Sequence, residues 1–335
     1  MSVARSVAIF ANLLALPSLH AAPLFEDPAI VDAVLEGPLA ELMAAPEGGD
    51  QLPFMLRAEG TDHAIRVRLR GKSRLQVCNL LPLRLNFRKR DVDGTLFADQ
   101  DKLKLVVPCH TSERAEKDLI EEYAIYRMFN LLTPASYRVR LLHMTFADTA
   151  GDGETTRILT FLLEPGEQLA ERLGGRESDL EAVSLEWLDA NHMALVYVFQ
   201  YLIGNLDWSL VAAKDEEVCC HNGTLIENGE TILYVPYDFD LSGFVDAPYA
   251  FPPPYLHLRR VTQRRYRGFC TDRQHLENAL AIVVAKRREI DALIRSLPVL
   301  SGRDKQRRID YLDRFFRAAE EPDRLLDRFE KRCLD

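Results

Sequence analysis

No short period and no low-complexity tract runs through the 335 residues, which excludes collagen-like and coiled-coil chains. No CxxC pair is matched by a second, so the usual spacing of a structural zinc site is missing. No GxGxxG occurs, and no apolar run reaches the roughly 20 residues that a bilayer span takes. Positive charge is in deficit. Lys and Arg number 42 against 51 Asp and Glu, a formal charge of −9, which is a poor basis for broad contact with nucleic acid or an anionic membrane. What is present suffices for a buried core: 47% of residues are hydrophobic, so wholesale disorder is excluded. The length fits one two-lobed domain or two modest ones.

Residues 1–22 place Arg5 before an apolar run from Val7 to Leu16, then Pro17, then Ala21 and Ala22. This is the order of a secretory signal peptide, with cleavage expected after Ala21; the rival is a buried N-terminal helix. The expected product is exported, periplasmic or secreted, without a membrane span. Six cysteines follow, and an even number in an exported chain favours disulfides. Cys78–Cys109 is the first expectation, because both lie in the first half beside neighbouring strands. Cys270 with Cys219 or Cys220 is the second.

After a lead-in containing Pro and Gly (Pro23 to Gly49), Ile65, Val67 and Leu69 alternate with arginines, as in a half-buried strand. Arg70 to Arg74 predicts a turn. Leu81 to Phe87 and Lys102 to Val107 predict two more strands of an antiparallel meander. Helical spacing follows over Glu113 to Leu132, with Leu119, Tyr123, Tyr126 and Asn130 on one stripe and Pro134 as the stop. Tyr137 to Phe146 and Arg157 to Leu163 return to strand character. From Leu180 helices dominate, apart from a strand at Thr231 to Val235 and a loop at Pro252–Pro254. Three amphipathic helices are expected in the last 65 residues (271–335). Strands plus one helix, followed by a helical half, predict an α+β chain.

The chemistry concentrates between Phe199 and Gly243. Asn205 and Asp207 follow an apolar helix, His192 to Ile203. Asn222 follows His221 after Cys219 and Cys220. Asp238 and Asp240 flank Phe239 at a strand end. Metal-assisted phosphoryl transfer needs such a set: one carboxylate to orient or deprotonate the attacking hydroxyl, and an amide oxygen with a second carboxylate to hold magnesium against phosphates. Oxygen ligands suit magnesium, and a strand end presents Asp238 rigidly.

The order Asn-x-Asp, His-Asn, Pro-Tyr-Asp-Phe-Asp resembles the CotH-like spore-coat kinases, atypical members of the protein-kinase-like fold, with HipA-type kinases more distant. Arg70-Gly71-Lys72-Ser73 and the following LPLRLNF are similar to that family's Arg-Gly-Asn-Ser segment and basic strand, so the resemblance spans roughly residues 60 to 245. It implies that Asp207 is the catalytic aspartate and Asn222 the loop asparagine on the metal. Asp238 would be the metal aspartate, with Asp240 a further ligand. Lys104 is nominated for the phosphates by position alone, with Glu121 or Glu122 as its partner, and Leu162 to Glu164 would lie at the adenine hinge. Mg2+ (or Mn2+) and ATP would be the cofactors. Fifteen positions separate Asp207 from Asn222, more than in the family, so an insert must loop out for them to meet.

Each signal has a structural reading too. An Asp at a strand end serves as a turn former or helix cap. Lys104 and Glu121 could form a surface pair, and Trp208 reads as packing. Arg259, Arg260, Arg264, Arg265 and Arg267 suit either a phosphorylated or acidic substrate or intramolecular ion pairs. The resulting expectation is an α+β, two-lobed protein-kinase-like fold. It has a leader (1–21), a lead-in (22–55), a β-rich N-lobe (56–170) and a helical C-lobe (171–335). Its expected activity is exported, Mg-dependent phosphate transfer from a nucleotide to a protein or small-molecule hydroxyl. ATP is scarce in a periplasm, which makes a kinase-like binding module of the envelope, without turnover, the main alternative. A metal-dependent phosphoester hydrolase using the same acids is the third.

Overall fold

The computed structural model describes residues 24–46, 49–71, 77–151, 155–210, 219–229 and 231–335. The expected leader and most of the turn after Arg70 lie outside these. Seven strands form a closed barrel in the order β1-β2-β3-β4-β5-β7-β6. They are β1 (Val31–Gly37), β2 (Leu52–Ala58), β3 (Thr61–Leu69), β4 (Leu83–Asn86), β5 (Lys102–Val106), β6 (Val139–Asp148) and β7 (Thr155–Leu163). Alternation builds the interior: along β3, His63, Ile65, Val67 and Leu69 are buried while Asp62, Ala64 and Arg66 are exposed. The β2–β3 hairpin turns on Glu59 and Gly60, both at positive φ (48° and 75°), the conformation whose twist matches the flanking strands. Closure comes from β1, which runs parallel to β6 from Val31 opposite Leu142 to Gly37 opposite Asp148.

Short helices α1 (Leu39–Ala44) and α3 (Gly166–Arg172) follow β1 and β7, and the long helix α2 (Glu113–Leu132) connects β5 to β6, with Ser112 accepting a cap bond from Ala115 N–H at 3.3 Å. It covers the outer face of β6 and β7. Those strands are therefore buried on both sides: Leu142, Met144 and Leu162 belong to the barrel core, while Leu141, Phe161 and Leu163 pack with Leu119 and Tyr123 of α2. The same larger core continues through α4 (Ala190–Ile203), α5 (Arg273–Ala285), α6 (Arg287–Ser296), α7 (Gly302–Ala319) and α8 (Pro322–Glu330). A three-stranded sheet, β10-β9-β8, sits within this half: β8 (Arg176–Glu177), β9 (Gly223–Asn228) and β10 (Thr231–Pro236).

These findings correct the expected two-lobed, protein-kinase-like architecture with a β-rich N-lobe and a helical C-lobe. The strands close into a mixed barrel, α2 shares its core with the later helices, and a sheet interrupts the helical half. Two smaller expectations also change. Four helices rather than three occupy the last 65 residues, because α5 and α6 part at Lys286, whose N–H turns back to Val283 O (3.2 Å). Cys78 does pair with Cys109, but Cys270 pairs with Cys333 and Cys219 with Cys220. The tail returns beside Cys270: its N–H bonds Leu334 O at 2.9 Å, and Leu334 N–H bonds Gly268 O at 3.0 Å. Among the described residues no helix is long and apolar enough to cross a membrane.

Candidate active site

The helix α4 begins at Asp189, whose carboxylate accepts from His192 N–H (2.8 Å), and is buried along nearly its whole length. It stops at Gly204 in the left-handed region (φ 64°). A Cβ there would collide with the Tyr311 hydroxyl, so glycine is needed for both backbone and space. Asn205 then accepts the Asp207 N–H through Oδ1 at 3.0 Å, a local turn that aims Asp207 away from the helix.

The chain returns to Asp207 after the excursion. Ser209 and His221 exchange backbone hydrogen bonds at 3.2 and 3.0 Å. Asn222, itself left-handed (φ 52°), donates from Nδ2 to the Asp207 backbone oxygen and to Oδ2, both at 2.8 Å. His221 Nε2 lies 3.0 Å from Asp207 Oδ1. The Asn222 carbonyl accepts from Tyr237 N–H (3.0 Å) and the Tyr234 hydroxyl (3.1 Å), tying this loop to the end of β10.

The next residue, Asp238, is also left-handed (φ 62°), and its N–H donates to the Tyr126 hydroxyl of α2 at 2.9 Å. Phe239 anchors the turn, fully buried between Tyr126 (4.9 Å) and Phe199 (6.1 Å). Asp238 thus lines a cleft with Arg70, Val106, Glu122, Tyr126 and Tyr237. Lys104 of β5 approaches the same place, its ammonium 5.0 Å from the Tyr237 ring centre. Burial, reinforced by Arg70 and Arg84, lowers its pKa to about 8, against the pull of Glu177 and Asp238. Lys104 also borders a cavity of about 660 Å3 with Arg84, Tyr137, Glu164, Gly166 and Glu177.

The remaining expected residues separate. Glu121 points away, to Arg308 Nε at 2.6 Å, and burial pushes its carboxyl upward against that partner. Glu122, one position on, faces the cleft. The Glu164 carboxylate forks onto Arg172 (2.9 and 3.0 Å) and accepts Arg138 N–H (2.9 Å), so it braces the wall of the wider cavity. Asp240 is buried and lines a second small cleft with Asp118, Glu122 and Tyr249. Trp208 packs against Tyr197 at 5.9 Å. Arg264 binds Leu202 O and Tyr311 O, and Arg267 binds Leu206 O, which makes those two arginines internal.

The sequence patterns give Tyr126 no role at the site, and assign none to Arg70 or Tyr237 although both lie inside the motifs. Tyr126 lies on the stripe of α2 that periodicity assigns to packing; only its hydroxyl, reaching Asp238, distinguishes it. Among the described residues no three His, Cys, Asp or Glu side chains group as a metal would require. The side chains of Asn222 and Asp238 carry oxygen donors of the type magnesium takes. These are too few for a cage made by protein alone, but they fit magnesium, which is ordinarily held by one or two carboxylates plus the phosphates of a substrate.

No family model matches the chain, and no curated protein does, so the resemblance to CotH-like kinases is not supported. Among solved structures, the proinflammatory kinase CtkA of Helicobacter pylori is similar at 11% identity and a TM-score of 0.36, covering 86% of this chain and 93% of that one. A likeness at that level defines neither the fold nor the activity of this chain.

Proposed function

We propose that this chain is a phosphotransferase that moves a phosphoryl group from a nucleoside triphosphate to a hydroxyl acceptor. The observation that carries the reading is the pair of hydrogen bonds that the Asn222 amide donates to Asp207, made while the Asn222 carbonyl accepts from Tyr237 N–H next to Asp238. It joins an acceptor-orienting carboxylate and two metal-type oxygen donors in one frame. A structural turn former has no need of that frame.

In this reading Lys104 holds the phosphates, and its partly lowered pKa leaves it charged at neutral pH. Asp207, fixed by His221 and Asn222, orients the acceptor hydroxyl and takes its proton. The acceptor oxygen forms a bond to the γ-phosphorus as the bond to the β-phosphate oxygen breaks, leaving a nucleoside diphosphate. Asn222 Oδ1 and Asp238 would hold magnesium or manganese, which supplies charge neutralisation on the phosphates. The wider cavity next to Lys104, walled by the Glu164–Arg172 pair, would take the nucleoside. The paired cysteines suit an oxidising compartment, in keeping with export.

The test is thermal unfolding with ATP or another nucleoside triphosphate, with and without magnesium, in wild type and Asp238→Ala. A ligand that binds only the folded chain adds about 2.7 kcal/mol at a hundredfold excess over its dissociation constant. Wild type should gain this with magnesium present and the variant should not. No shift with any nucleotide would leave a binding module without turnover.

A further inference from the structure

An acid-free, arginine-bearing stretch of chain begins just past the Asp238–Asp240 turn. Residues 247–271 carry five arginines and no Asp or Glu, in a protein whose acids exceed its bases by nine. Within it, Phe251 is 77% exposed and Tyr255 64% exposed, the two highest values among the large apolar side chains described. Three prolines lie between them, and Pro254 opens a single 3-10 turn, Pro254–Leu256. The backbone that presents the rings is therefore stiff, and little order is lost when something binds there.

The arginines divide by role. Arg264 and Arg267 are spent on backbone oxygens inside the fold. Arg259 and Arg260 are exposed, with their N–H groups gathered onto Gln263 Oε1 at 2.7 and 3.0 Å, so the two side chains leave one tight bend. Arg267 fixes where this loop lies. Its guanidinium sits 5.9 Å from the Tyr255 ring and 6.0 Å from the Trp208 ring, and it bonds the carbonyl of Leu206. Leu206 and Trp208 flank Asp207. The exposed aromatic loop is thus one arginine away from the carboxylate assigned to the acceptor.

We infer that the Phe251–Arg260 loop is the docking surface for the acceptor, and that the acceptor is a protein segment with acidic residues and an apolar side chain flanking its hydroxyl. This rests on the phosphotransferase reading for the word acceptor, but the surface itself does not. Aromatic rings and prolines supply the apolar contact, and Arg259 and Arg260 supply the charge that selects against basic segments. A small hydroxylated metabolite would use neither.

The experiment uses the full chain and two fluorescent peptide sets centred on Ser, Thr or Tyr. One set is flanked by Asp, Glu and Leu, the other by Lys, Arg and Leu. Anisotropy reads binding, and transfer of labelled γ-phosphate from ATP with magnesium reads turnover. Wild type should bind and label the acidic set at least tenfold better, on the scale of one to two rim charges and an aromatic anchor. Phe251→Ala with Tyr255→Ala should raise KM for the acidic set about tenfold at unchanged kcat. Arg259→Glu with Arg260→Glu should reverse the preference towards the basic set. All four side chains are exposed, so both variants should unfold at the wild-type temperature. Asp238→Ala should lose transfer and keep peptide binding. Should no protein transfer phosphate while the acidic peptides still bind and the loop variants lose them, the surface stands and the phosphotransfer reading falls. Equal binding of both sets, tighter binding of a single-stranded oligonucleotide than of any peptide, or loop variants that behave as wild type would overturn the inference.

Discussion

The Asn222 amide nitrogen lies 2.8 Å from both the backbone oxygen and the carboxylate of Asp207, across fifteen positions of chain. One side chain closes the excursion that holds the two cysteines and positions the aspartate. Asn222→Ala should therefore act twice. Two hydrogen bonds go, at about 1 kcal/mol each for neutral acceptors and more for the carboxylate, readable as a lower urea midpoint. Any turnover should fall by at least two orders of magnitude, on the scale seen when a positioned electrostatic donor is removed. Full turnover with Ala at this position would remove Asn222 from the site.

Lys104 makes the chain pH-sensitive in a defined window. Its pKa is about 8 folded against 10.5 unfolded, so between these values the unfolded chain holds the extra proton. Its contribution to stability is present above pH 10.5 and lost as pH falls through 8. Wild type should gain stability relative to Lys104→Met as pH rises across that window, measured by urea unfolding. Affinity for inorganic triphosphate should move the other way, weakening above pH 8 as the ammonium is lost. Lys104→Arg should flatten both trends, because guanidinium stays protonated.

The pair Glu121–Arg308, 2.6 Å apart, is buried at both ends. Removing one member strands the other: Arg308→Ala should cost about 3–5 kcal/mol. The double change Glu121→Leu with Arg308→Met should cost much less than the sum of the single changes. Denaturant midpoints of the four proteins give the coupling directly. Additive costs would mean that the two side chains do not act as a pair.

Cys270–Cys333 closes a loop of 63 positions and Cys78–Cys109 one of 31. By the chain-entropy estimate each bond stabilises by about 4 kcal/mol, the longer loop slightly more. The Cys→Ser double variants should lower the unfolding midpoint by comparable amounts under oxidising conditions. Dithiothreitol, which opens both bonds at once, should bring wild type below either variant.

Local patterns carried well into three dimensions. The alternation at Ile65, Val67 and Leu69 is the inward face of β3, and Glu113 to Leu132 matches α2 end to end. Asp207 and Asn222, separated in sequence, do meet. Non-local pairing did not show. β1 lies in a stretch rich in Pro and Gly whose strand character depends on β6, and β9 is defined by its register with β10. Orientation within a helix was equally hidden. Glu121 and Glu122 are neighbours of one type, and only the arginine waiting on α7 decides which of them turns from the cleft. The hydroxyl of Tyr126 reads as core until Asp238 is placed against it.

Barrel closure joins Val31 to Leu142, 111 positions later (142 − 31). A pairing so distant in sequence forms slowly, because the intervening chain must first be ordered. A chain emerging from the ribosome therefore has no finished cylinder until well over a third of it has been made. Once the last seam is sewn, no bare strand of the barrel is left to recruit a neighbour.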